Sequence, residues 1–141
     1  MVALGFINNL IKRDVMNKHL PYEKRFNRKC DFMVEYNFIS NQFDYQVKLS
    51  QGMRSDFCYK DDEKEPTYMI WPEFENANGE VIEDKEATIL NHGKARMWVM
   101  LDEQRKMHKE RLVIGQEGYL VAGSHKIAKV TVLELVGLKD I

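Results

Sequence analysis

The stretch CDFMVEYNFIS, residues 30–40, sets the strongest constraint on what this chain folds into. Phe32, Val34, Tyr36 and Phe38 alternate with Met33, Glu35, Asn37 and Ile39, so every second side chain lands on one face of an extended strand. Aromatic and β-branched types on that face suit a pleated, half-buried surface. The segments TYMIWPEF (67–74), KARMWVML (94–101) and KIAKVTVLELV (126–136) have the same character. Turn formers separate them: NANG at 76–79, NHG at 91–93, and Gly115, Gly118 and Gly123. Several short strands with regular turns predict an all-β domain, a barrel or a sandwich.

Before Cys30 the period is helical. Phe6, Ile7, Leu10, Ile11 and Val15 make one apolar stripe within residues 4–20, and Pro21 ends the run. Such an amphipathic helix either packs on the domain or faces a partner. The chain therefore divides into a helical extension, 1–29, and a single β domain, 30–141. Residues 101–112, LDEQRKMHKERL, fit a short helix or a basic loop.

At 141 residues one domain buries roughly 70% of its unfolded surface, so neither metals nor disulfides are needed. Cys30 and Cys58 lack the CxxC spacing of a metal or redox site and read as unpaired, core-packed thiols of a reducing compartment. Asn8, Asn9, Lys12, Arg13 and Asp14 interrupt the N-terminal apolar residues, so no secretory leader is expected there. No apolar run reaches the about 18 residues of a membrane span. A cytoplasmic location without membrane association is the expectation.

The net charge of -1 gives no general support to nucleic-acid or membrane-surface binding. Its distribution is uneven. Residues 1–29 hold seven basic and two acidic side chains, whereas residues 60–86 hold three basic and ten acidic.

GYLVAGSHKIA (118–128) comes near the spacing of a phosphate-cradling loop. That loop needs Lys directly after its second glycine, but here Ser124 and His125 precede Lys126. The intervening YLVA is strand material, and β-branched residues follow where a helix is required. A strand, a tight turn at Gly123-Ser124 and a second strand fit better. Ser124-His125 lacks the G-x-S-x-G elbow of a hydrolase. His19, His92, His108 and His125 have no ligand-like spacing, so no metal or other cofactor is expected. Asp61, Asp62, Glu63 and Glu65 form a charge run without the glycine and alternating oxygens of a calcium loop. Glu73 and Glu75 flank Phe74 and share a strand face, but no second catalytic group stands out.

The order QGMRSDFCY (51–59), NHGKARMWVML (91–101) and GYLVAGSHKIAKVTVLEL (118–135) resembles the third, C-terminal β-barrel domain of elongation factor Tu and related translation GTPases. Gly52, Arg54 and Phe57 match the family's first strand, Gly93 its second turn and Gly123 its third. Met53 replaces the family aromatic, Ser55-Asp56 replaces Pro-Gln, and Asn91-His92 stands where the family has proline. The resemblance spans residues 30–136 and implies a small closed antiparallel β-barrel behind the N-terminal helix. It carries no GTPase activity, since the GTP-binding domain is missing. It implies RNA contact through Arg54, and Arg96, Lys106, His108, Lys109 and Arg111 supply further basic groups for a phosphate-facing patch.

Three functions follow as expectations. The first is a non-catalytic module for a protein partner of inhibitor, immunity-protein or adaptor type, with Asp61, Asp62, Glu63 and Glu65 facing a basic surface. The second is an RNA-binding, translation-associated factor. The third is an enzyme whose site the sequence does not display.

Overall fold

The computed structural model of the chain describes residues 17–39 and 47–141. The alternation at 32–38 becomes β1 (Phe32–Phe38), with Phe32, Val34 and Tyr36 buried and Glu35 and Asn37 exposed. Five more strands follow: β2 (Asp56–Tyr59), β3 (Ile70–Phe74), β4 (His92–Val99), β5 (Glu117–Ala122) and β6 (His125–Leu135). Two short helices, α1 (Tyr22–Phe26) and α2 (Arg105–Arg111), and two 3₁₀ turns complete the described elements. The strands form one antiparallel sheet in the order β2-β5-β6-β1-β4-β3.

The sheet curls because its longest strand is bulged twice. Register shifts opposite Leu120/Val121 and Met33/Val34 place one extra residue in β6 at Ile127 and another at Leu133. Each bulge bends the strand and increases its twist. The concave face holds the main core of Phe32, Tyr36, Phe57, Tyr59, Phe74, Met97, Val130 and their neighbours. Each such large apolar side chain contributes roughly 1.5–3 kcal/mol on burial.

The curl stops short of the closed barrel expected from sequence. The edge strands approach at one point, where Phe57 N donates to Tyr68 O at 2.9 Å and Tyr68 N to Phe57 O at 2.8 Å. β2, with four residues, is too short to continue that ladder. The free edge of β3 is blocked as well. Gln51 accepts from Phe74 N at 2.9 Å and donates to Phe74 O at 3.0 Å, and Pro72, two residues earlier on the same edge, has no N–H to offer. The result is a curled half-barrel with its edges covered by side chain and proline.

The helix expected over 4–20 lies, up to residue 16, outside the described residues. Its described end is not helical: Lys18 forms an isolated antiparallel bridge with Asp84. Pro21 starts a helix instead of ending one. Its φ is fixed near the helical value, and its carbonyl accepts from Lys24 N and Arg25 N at 3.1 Å, opening α1. Asn27, at φ 53, then closes α1 in the left-handed conformation. Residues 101–112 resolve into a 3₁₀ turn, Asp102–Gln104, followed by α2.

α1 covers the convex face of β3 and β4. Tyr22 packs edge-on against Trp98 at 5.7 Å, Phe26 lies 5.7 Å from the same ring, and Trp71 joins them in a second small core.

Candidate functional site

Two buried polar clusters look catalytic at first sight. Glu73, fully buried on the convex face, accepts from Tyr22 N at 2.8 Å and Trp98 Nε1 at 3.1 Å, and meets His19 Nε2 at 2.5 Å. On the other side of the sheet His108, also fully buried, places Nδ1 2.6 Å from Tyr59 Oη. Tyr68 packs edge-on against the imidazole at 4.8 Å, and Arg111 lies 3.6 Å above the Tyr59 ring. Burial, aided by the Arg111 cation, pushes the imidazole from 6.5 down to about 4. The same desolvation raises the Tyr59 phenol. His108 Nε2 has no hydrogen-bond partner among the described residues. His19, Glu73, Tyr59 and His108 are all buried, and their contacts tie elements together: His19 and α1 to the sheet, α2 to β2.

Cys30 offers no nucleophile. Desolvation pushes its thiol up to about 12, so it stays protonated. No group of three or more His, Cys, Asp or Glu among the described residues is arranged to hold a metal ion. No described helix is long and apolar enough to cross a membrane.

The accessible feature is the excursion 75–91 between β3 and β4. It opens with the NANG turn, where Asn76 Oδ1 accepts from Asn78 N at 2.9 Å and Glu80 N at 3.0 Å, and Gly79 takes φ +79. The chain returns through a bridge between Glu75 and Val81, and Ile82 N donates to Phe74 O. Glu83 O accepts from His19 N, and Lys85 N donates to Asn17 O, fixing this limb to the chain before α1. Ile89 enters the core, and Leu90 O accepts from Tyr36 Oη at 3.1 Å.

A groove of about 500 Å³ runs between the excursion and β4, lined by Tyr36, Ala77, Ile82, Thr88, Leu90 and Gly93 among others. Leu90 is 67% exposed. Gly93 is a strand residue opposite Tyr36, not the turn read from sequence, and it keeps the groove floor clear. A Cβ there would stand 3.0 Å from the Tyr36 hydroxyl.

Charge pairing separates the acids. Asp61 and Asp62 each lie 3.3 Å from Arg111, and Glu65 lies 2.6 Å from Lys126. Glu75 and Glu23 both meet Arg96. By contrast Glu80, Glu83, Asp84 and Glu86 are exposed and pair with no cation among the described residues, as does Glu63. Lys85 and His92 are the basic residues among 76–93, and Lys94 also lines the groove.

The basic candidates are largely engaged by the chain itself. Arg96 and Arg111 are ion-paired, Lys109 donates to the Ile141 carbonyl, and His108 is sealed in the core. Arg54 stacks 4.8 Å from the Trp71 ring with an exposed side chain, and Lys106 is exposed. The 118–126 segment is the β5–β6 hairpin, with Gly123 at φ +61 in its two-residue turn.

Sequence reasoning missed the groove residues Tyr36, Ile82 and Leu90 and the unpaired acids at 80–86. The available signals were the NANG turn, which marks a hairpin, and an apolar Leu90 standing in an otherwise polar loop.

No family model matches the chain, and no curated protein or solved structure matches it.

Proposed function

We propose that this chain is a non-catalytic module that binds a protein partner through the excursion 75–91. One observation carries the reading: four exposed acids without a cation partner among the described residues, Glu80, Glu83, Asp84 and Glu86, stand close together on the excursion whose Ile82 and Leu90 line a largely apolar groove. Acids at 61–65 whose charge is already answered by Arg111 and Lys126 attract a basic partner weakly. Those at 80–86 have no cation partner among the described residues, so their field speeds encounter and sets register, while the groove accepts an apolar side chain. The partner segment therefore carries an apolar residue next to Lys or Arg, as an inhibitor target or adaptor ligand would.

The test uses a fluorescent peptide of alternating Leu and Lys and its Leu/Glu counterpart. The Leu/Lys peptide is expected to bind, with weaker binding as salt rises toward about 1 M, where the screening length falls to about 3 Å. Equal affinity for both peptides, or none for either, overturns the reading.

A further inference from the structure

The corner between α1 and α2 is organised around a buried carboxylate. Asp31 has no exposed surface; its Oδ2 accepts from Arg28 Nη1 at 2.9 Å and Val99 N at 2.7 Å, and its Oδ1 from Arg105 Nε at 2.7 Å. Arg28 is fully committed: it also donates to Val99 O at 3.0 Å, and its guanidinium lies 5.2 Å from the Trp98 ring. Arg105 is different. It is anchored through Nε alone, and neither Nη1 nor Nη2 meets an acceptor among the described residues. Those two groups belong to a side chain lining a cavity of about 310 Å³ with Phe26, Arg28, Met100 and Asp102.

We infer that this cavity binds a free nucleoside monophosphate. A guanidinium held at Nε alone keeps Nη1 and Nη2 as donors for a phosphate's oxygens, with Nη2 packed beside Gly137, where a Cβ would stand 3.4 Å away. Arg28 and Arg105 balance Asp31 and Asp102 one for one, so the anion is held by directed hydrogen bonds from Arg105 and not by a net positive charge. Phe26 and Met100 supply a flat, polarizable wall for the base. The Asp102 carboxylate only accepts hydrogen bonds, so it favours a base with an exocyclic amino group, adenine, cytosine or guanine, over uracil. The volume sits at the low end of the roughly 300–1,000 Å³ of ligand pockets, enough for one nucleotide. Asp102 cancels the one positive charge that Asp31 leaves, which disfavours a polyanionic strand.

Isothermal titration with AMP, UMP, inorganic phosphate and an oligoadenylate of about ten nucleotides tests this site. AMP is expected to bind saturably and more tightly than UMP or phosphate. Arg105→Lys keeps a cation beside Asp31 but loses the fork, and is expected to weaken AMP about tenfold. Asp102→Asn, at an exposed position that perturbs no buried contact, is expected to abolish the preference for AMP over UMP. If Arg105→Lys fails to melt cooperatively, the Asp102→Asn preference decides alone. Phosphate binding as tightly as AMP overturns the inference, as does binding of the oligonucleotide without AMP or an unchanged preference in Asp102→Asn. Binding of the Leu/Lys peptide at the opposite groove is expected to be unaffected by either substitution.

Discussion

Tyr59 Oη and His108 Nδ1 stand 2.6 Å apart where the imidazole has no exposed surface, and this contact joins α2 to β2. Because the histidine is held neutral, its folded pKa of about 4 lies below the 6.5 of an exposed imidazole. As pH falls, the unfolded chain takes up the proton first. Stability is thus intact above pH 6.5, declines between 6.5 and about 4, and levels off below. This one group accounts for about 3 kcal/mol of that decline. Urea unfolding across the range, compared with His108→Asn, measures it: the variant is expected to show a shallower slope. Identical slopes would mean that His108 does not titrate with unfolding.

The convex face depends on Glu73 in the same way. Replacing it with Leu leaves Tyr22 N, Trp98 Nε1 and His19 without their acceptor. Breaking a buried set of this kind costs about 3–5 kcal/mol. Glu73→Gln keeps an acceptor and is expected to lose clearly less. Thermal melts followed through tryptophan emission compare the two, and Glu73→Leu melting like the unsubstituted chain would remove Glu73 from this role.

Two glycines illustrate separate causes. At Gly118, paired with Tyr59, a Cβ would fall 2.7 Å from Cys58 O and from the Phe57 ring. Gly118→Ala is expected to cost about 1–3 kcal/mol through forced movement of packed groups. At Gly123 nothing lies within 4 Å, but φ is +61. Gly123→Ala is expected to cost about 1 kcal/mol through backbone strain alone. Denaturant melts of both variants check the order, and a reversed order contradicts the close packing of β2 on β5.

Much of the sheet was legible because periodicity is a local property. β1, β4 and β6 follow from alternating side chains, and the β5–β6 turn from Gly123. Closure was not legible, because it depends on β2 being four residues long and on Gln51 reaching the edge of β3 at Phe74. The pairing of His19 with Glu73 across 54 positions is likewise invisible to any local pattern. The acids show the same limit. Composition marks residues 60–86 as one acidic run, and only the fold assigns Arg111 and Lys126 to Asp61, Asp62 and Glu65 and leaves 80–86 without a cation partner among the described residues.

Stopped-flow association of the Leu/Lys peptide with two charge-neutralised variants tests the binding proposal most directly. One carries amides at Glu80, Glu83, Asp84 and Glu86, and the other at Asp61, Asp62 and Glu65. The first is expected to slow association about tenfold at low salt, as loss of steering does. The second is expected to stay within about twofold, because its acids already face cations of the chain. Equal effects from the two sets, or a larger one from 61–65, would contradict a partner site on the excursion.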